Sequence, residues 1–280
     1  MALRVACFNI AIDLYELHSF DVEQKYNQIA SFIKTNDVVG LQEMKNYERF
    51  KFLETKLGPD WHGYFVSEEH RPEGVGILSR FKLSHIQTHR ITRPEDKTFA
   101  RVALSAQIEH NNMVRPPLRF AVVHLPICAA DVKLRILTRL LDDLVAPTTQ
   151  NEATIVCGDF NCWTRSESQK MDLVFAERNM IDACPASANG TSTFLGTINT
   201  SSSIQPRFDR STPAEKEKTY GIPIAEQCSR IDRFFISYPF IHRMGGYKVS
   251  PVYFKHQNSL SDHYAISGTI NLEYKKLSQN

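Results

Sequence analysis

The sequence predicts a mixed α/β fold, and three observations carry that prediction. The chain opens strand, helix, strand, the order of a βαβ unit with a parallel pair. Short apolar segments separated by turn residues follow, a pattern that reads as an antiparallel section. Polar residues suited to chemistry recur where apolar runs end, so strand ends would deliver them to a common rim.

Taken in order, Leu3 to Phe8 is an apolar strand that stops at Asn9. Val22 to Ile33 carries Val22, Tyr26, Ile29, Ala30, Phe32 and Ile33 at helical spacing, with Asp21 or Ser19 as its N-cap. Val38-Val39-Gly40-Leu41 reads as a buried strand running into Gln42-Glu43. A helix is predicted over Tyr47 to Leu57. Strands are then predicted at Gly63–Val66, Gly74–Ser79, Leu83–Thr88, Arg101–Ile108 and Leu118–His124. Lys133 to Val145 repeats apolar residues at 134, 136, 137, 140, 141, 144 and 145, a helical pattern. Thr154–Cys157 is a buried strand leading into Gly158-Asp159, and Leu173 to Phe175 fits mid-helix. Ile231–Ser237, Tyr247–Phe254 and Tyr264–Ile270 are again strand-like.

Between Ser187 and about Ser229 the periodicity fades into Gly, Ser, Thr, Pro and charge, including Arg207, Arg210, Lys216 and Lys218. A loop of that length inside a domain is a functional surface or a solvated insertion. Little chain follows it, so it does not read as an interdomain linker, and residues 1–280 are taken as a single domain. Hydrophobic residues make up 42% and charged residues 23%, enough apolar mass for a sizeable core. A net charge of +2 neither demands nor excludes a nucleic-acid partner. The six cysteines, at 7, 128, 157, 162, 184 and 228, form no CxxC pair and read as reduced core thiols. No charged leader with an apolar core opens the chain, and no apolar run approaches the roughly 20 residues a bilayer needs. The expectation is an intracellular protein, in cytoplasm or nucleus.

Asn9, Glu43, His124, Asp159, Asn161 and Asp262 sit at or near ends of predicted strands, with Asp232 and His263 beside them. Hydrolysis of a phosphate ester requires charge neutralisation on the non-bridging oxygens, an activated water and stabilisation of the transition state. Mg²⁺ on carboxylate and amide oxygens does the first, a carboxylate the second, and an imidazole backed by a carboxylate the third. Singly, each residue has a plain structural reading: a turn for Asn9, a helix cap for Asp159, a core-edge histidine for His124. All of those readings would have to hold at once.

Seven segments occur in the order found in the endonuclease/exonuclease/phosphatase superfamily, whose members resemble pancreatic deoxyribonuclease. They are Phe8-Asn9, Leu41-Gln42-Glu43-Met44, Gly74 to Arg80, Val123-His124-Leu125, Gly158-Asp159-Phe160-Asn161, Arg230-Ile231-Asp232-Arg233 and Ser261-Asp262-His263. The resemblance spans residues 8 to 263 and implies a four-layer αββα sandwich, two mixed sheets face to face with helices outside. It implies Glu43 as principal Mg²⁺ ligand, with Mn²⁺ able to substitute, and Asn9 and Asp262 in support. Asp159 would orient or deprotonate water, and Asn161 would hold a phosphate oxygen. His263, backed by Asp232, would stabilise the transition state, and His124 would contact the phosphate from another side.

Within that superfamily the Arg230 to Phe235 segment is similar to the 5′-tyrosyl-DNA phosphodiesterases, as are His124-Leu125 and Thr193-Phe194. The resemblance makes Arg233, Thr193 and Phe194 substrate-binding candidates. Arg233 has a second reading, a structural salt bridge. One departure is Trp163, where those enzymes and the inositol-polyphosphate 5-phosphatases carry Arg; it would offer a stacking surface for a base or pack over the core. The expected function is a Mg²⁺-dependent phosphodiesterase acting on nucleic acid as a monomer, with end-processing, adduct removal or nuclease action in view. The alternative is a phospholipid or inositol-phosphate hydrolase at a membrane.

Overall fold

In a computed structural model the structure describes residues 2–10, 22–110, 117–145, 153–183, 231–237, 244–250, 263 and 265–271. Along the chain these form β1 (Ala2–Asn9), α1 (Val22–Ile33), β2 (Val38–Met44), α2 (Tyr47–Leu57), β3 (His62–Ser67), β4 (Gly74–Ser79), β5 (Lys82–Arg90), β6 (Val102–Glu109) and β7 (Leu118–His124). There follow α3 (Ala130–Val145), β8 (Ala153–Asp159), α4 (Arg165–Ala176), β9 (Met180–Asp182), β10 (Asp232–Ser237), β11 (Met244–Ser250) and β12 (Ala265–Asn271).

The strands fall into two six-stranded mixed sheets, ordered β11-β12-β1-β2-β4-β3 and β5-β6-β7-β8-β10-β9. Each sheet holds one parallel pair at its centre, β1 with β2 and β7 with β8, and each such pair is bridged by a helix. Alternation along the strands sorts side chains between two faces. Val5, Cys7, Val38, Phe120, Val122, Ile155, Cys157, Phe234 and Ile236 face inward and form the core between the sheets. Ala6, Phe8, Val39 and Leu41 face outward under α1 and α2, while Val123, Val156 and Phe235 face outward under α3 and α4. The protein is a four-layer αββα sandwich.

Local sequence explains the helix boundaries. Asn46 caps α2 by accepting from the Arg49 N–H at 2.9 Å, and Thr164 caps α4 by accepting from the Glu167 N–H at 3.0 Å. The stripe of α3 buries Ile136, Leu137, Leu140, Leu141 and Leu144, each contributing about 1.5–3 kcal/mol of apolar burial. At Gly40 the two sheets approach closely: a Cβ there would lie 2.4 Å from Val122 Cγ2 and 3.2 Å from Cys157 Sγ. Cys7, Cys128, Cys157 and Cys162 are free thiols.

The predicted antiparallel section is real but divided. β3 and β4 close the first sheet, the chain crosses at Arg80-Phe81, and β5, β6 and β7 begin the second. Strand patterns state which residues alternate, not which sheet they join. β9, only three residues long, falls below what periodicity detects. The long loop from 187 to 229 lies outside the described residues. Among the described residues no helix is long and apolar enough to cross a membrane.

Candidate active site

Strand register, not sequence proximity, assembles the site. His124 at the end of β7 is paired with Asp159 at the end of β8, and Asp159 is paired with Asp232 at the start of antiparallel β10. Three chemically active residues thus stand side by side on one rim. The facing rim of the other sheet ends with Asn9 on β1 beside Gln42 on β2, and Glu43 follows. Glu43 is left-handed at φ 53°, within an irregularity of the β2–β4 pairing between Leu41 and Met44. Such a bulge re-aims a side chain, and it leaves Glu43 the one part-exposed carboxylate of the group, at 29%. His263, just before β12, arrives at the same rim.

Asn9 joins the two halves: its Nδ2 donates to Glu43 Oε1 and to Asp159 Oδ2, both at 3.0 Å. His124 Nε2 lies 3.7 Å from Glu43 Oε1 and 3.8 Å from Asp159 Oδ2. His263 Nδ1 meets Asp232 Oδ2 at 2.8 Å, and its Nε2 lies 3.7 Å from Asp159 Oδ2. Burial pushes the Asp159 carboxyl up to about 6, aided by the neighbouring Asp232. The charge of His263 and donors from Asn161 N–H and Asn9 oppose that rise. Burial holds the His124 imidazole well below its usual range, with the positive charges of Arg101, His263 and Arg71 acting in the same direction. His124 is therefore a neutral ring at ordinary pH, able to donate one hydrogen bond or offer one lone pair.

Glu43, His124 and Asp159 bring three ligand atoms within 4.8 Å of one another, and Asp159, Asp232 and His263 do the same. The carboxylates of Glu43 and Asp159, the first of them part-exposed, suit a hard divalent cation such as Mg²⁺ or Mn²⁺.

Sequence comparison decides the family. Residues 19–263 match the profile of the Endonuclease/Exonuclease/phosphatase family. The chain belongs to this family. Its members are phosphoester hydrolases, generally metal-dependent, and the fold agrees. The crystal structure of D. rerio TDP2 complexed with single strand DNA product is similar at TM-score 0.68 and 17% identity, covering 96% of this chain and 99% of that one. A mannosyl-6-phosphatase of Bacteroides thetaiotaomicron is similar at TM-score 0.67 and 16% identity, over 95% and 98% of the two chains. Truncated Caenorhabditis elegans TDP2 gives 0.63 and 14%, over 97% and 98%. A comparison with curated proteins finds no match.

Of the family residues expected here, the structure gathers Asn9, Glu43, His124, Asp159, Asp232 and His263. Asn161 adjoins them: its N–H donates to Asp159 Oδ1 at 2.8 Å and its Nδ2 to the Leu125 carbonyl at 2.8 Å. One hydrogen of that amide remains for a substrate oxygen. Trp163 is half-buried on the adjoining loop, its backbone N–H donating to Glu167 Oε2 at 2.9 Å. Thr193, Phe194 and Asp262 lie outside the described residues.

Arg233 does not reach the site, which corrects its expected substrate-binding role. Asp232 points between the sheets with Phe234 and Ile236, so Arg233, one residue on, points to the helix side with Phe235. Its side chain is 1% exposed and stacks 4.6 Å from the Phe235 ring centroid. It donates to Asp182 Oδ2 at 2.9 Å from Nε and 2.6 Å from Nη2, to Ser168 Oγ at 3.1 Å, and to Asp172. The structural salt bridge is the reading that holds.

Two groups near the site escaped sequence reasoning. Arg101, one residue before β6, reaches across to Glu68 at 2.5 Å and Glu73 at 3.4 Å on the turn that follows β3. Arg71 on that turn sits over the exposed Phe99 ring at 5.9 Å. No short motif marks this cluster, because its members meet only when the sheets pack. Lys133 and Glu167 form the second group, and here a signal existed. Lys133 occupies the apolar stripe of α3 with Ile136, Leu137, Leu140 and Leu141, a position where a charge needs a buried partner.

Proposed function

We propose that the protein is a Mg²⁺-dependent phosphodiesterase, with Mn²⁺ able to substitute, acting on nucleic acid at ends or adducts. The observation that supports this most is the meeting of Glu43 and Asp159 across the two rims, each 3.0 Å from Asn9 Nδ2, with the Asp232–His263 pair alongside. Glu43 would be the main metal ligand, with Asn9 and Asp262 in support. When bound, the cation would neutralise charge on the non-bridging phosphate oxygens. Asp159, held by Asn9 Nδ2 and the Asn161 N–H, would orient a water and take its proton. Asn161 would hold a phosphate oxygen through its remaining amide hydrogen. His263, oriented by Asp232, faces the same space and would stabilise charge in the transition state. Neutral His124 would donate to the phosphate from the other side.

Support for a nucleic-acid substrate comes from the rim. Phe99, 65% exposed, offers a stacking surface, with the Arg71 guanidinium, itself paired with Glu73 at 2.9 Å, 5.9 Å from its ring centroid. Trp163 offers a second ring, and Thr193 and Phe194 are further substrate candidates on sequence grounds. The similar D. rerio structure carries single strand DNA product. Free, mostly buried thiols suit a reducing compartment, in keeping with an intracellular enzyme. One observation favours a second substrate class: Ile127, 64% exposed three residues after His124, would suit contact with lipid.

The deciding experiment is cleavage of a labelled single-stranded oligonucleotide bearing a 5′-phosphotyrosine, with and without EDTA. Mg²⁺-dependent loss of the end label is the expected result. Activity persisting in excess EDTA would contradict the metal role of Glu43. An untouched oligonucleotide alongside turnover of phosphoinositide or sphingomyelin vesicles would move the reading to the lipid class.

A further inference from the structure

We infer that Lys133, acting with Glu167, is a positioning residue that sets the geometry of Asn161 in the active site. The inference rests on the phosphodiesterase reading above, because Asn161 is the group it serves.

Lys133 is 1% exposed, in the first turn of α3. An ammonium at such depth must spend its donors on the protein. One goes to Glu167 Oε1 at 2.6 Å and one to the backbone carbonyl of Asn161. Glu167 in turn uses its other carboxylate oxygen on the Trp163 N–H, and its own N–H is capped by Thr164 Oγ1. The pair therefore closes the segment from Asn161 to Glu167 at both ends.

That segment needs closing. Asn161 is left-handed at φ 47°, a conformation asparagine tolerates better than most residues, and three hydrogen bonds hold it there. Its N–H is tied to Asp159 Oδ1, and its side chain to Leu125 O, the residue after His124. The Lys133 bond fixes the remaining polar group, the carbonyl, and with it the peptide that follows. Release that peptide and Asn161 can rotate away from Asp159 and Leu125 together. Arg233, which also grips α4, contacts no residue of this segment.

The test compares Lys133→Met, Lys133→Arg and Glu167→Gln with the wild-type chain on bis(p-nitrophenyl) phosphate, a diester that needs no base recognition. With melting temperatures measured so that assays run on folded protein, Lys133→Met should lose about 100-fold in kcat, the scale of a misplaced catalytic group, with KM within about twofold. Lys133→Arg should recover most of that loss, and Glu167→Gln should fall between. If Lys133→Met does not fold, Glu167→Gln decides, since it is isosteric and keeps an acceptor. A pair that lowers the melting temperature while kcat stays at the wild-type value is structural glue, and the positioning role is then wrong. A wild-type chain inactive on the diester with metal present overturns the phosphodiesterase reading itself, and the inference with it.

Discussion

Two buried cations grip the same helix, and they serve different ends. Arg233 reaches α4 through Ser168 and Asp172 and ties it to β9 through Asp182. Lys133 reaches it through Glu167 and also touches the carbonyl of Asn161. The planar Arg233 fork, stacked on Phe235, ends on side chains that take no part in the site. The compact Lys133 ammonium ends on the backbone of a residue that does. The two are equally buried, at 1% exposure, but Arg233 pairs with two carboxylates and Lys133 with one, and the acceptor at the far end makes the difference.

The largest effect is expected at the site itself and sets the scale for both cations. Asp159→Asn should lower kcat by at least about 10³-fold, within the range for loss of a general base, with the fold retained. Steady-state kinetics with a thermal melt check this, and a variant of normal activity would sink the site assignment. Next in size is Arg233→Met. It leaves Asp182 and Asp172 without their cation, so chemical denaturation should show a loss of about 2–3 kcal/mol, below the range of a fully buried pair because Asp172 is 46% exposed. Activity per folded molecule should stay within about twofold, and a fall in kcat like that expected for Lys133→Met would erase the contrast between the cations.

The smallest effect is in pH. His124 and His89 are held below their usual range by burial, so the unfolded state binds protons that the folded state does not. Stability should therefore fall as pH drops through about 6.5, by up to about 1.4 kcal/mol per pH unit for each ring that stays neutral. Asp159 has the opposite sign. Its folded value near 6 lies above its unfolded one, so between about 6 and 4 the folded state binds the extra proton and partly offsets the histidines. Metal-free Asp159→Asn should then lose stability more steeply below pH 6 than the wild type in a pH series of thermal melts. Parallel curves would mean that Asp159 titrates normally.

Much of this was legible in the chain. Period-two and period-3.6 patterns placed most of the elements, because each buries one face and that face repeats. Asn9, Glu43, His124 and Asp159 could be named because each lies where an apolar run ends, and Asp232 and His263 because each stands just before one begins. Their convergence depends on the register His124↔Asp159↔Asp232 and on the packing of one sheet against another, which no local pattern encodes. For Arg233 the sequence left two readings open, substrate contact or a structural salt bridge, and alternation favours the second: if Asp232 faces inward, its neighbour faces the helices. Lys133 was passed over because a charge on an apolar stripe reads as noise until its acceptor is seen. Thr193, Phe194 and Asp262 lie outside the described residues, so their placement stays a sequence expectation.

The close approach at Gly40 carries a consequence for the whole enzyme. Glu43 belongs to one sheet, His124 and Asp159 to the other, so the gap between them is the gap between the sheets. That gap is gauged in the interior, where the bare Cα of Gly40 lets Val122 and Cys157 in. The core thus works as the calliper of the two rims, fixing how far Glu43 stands from His124 and Asp159.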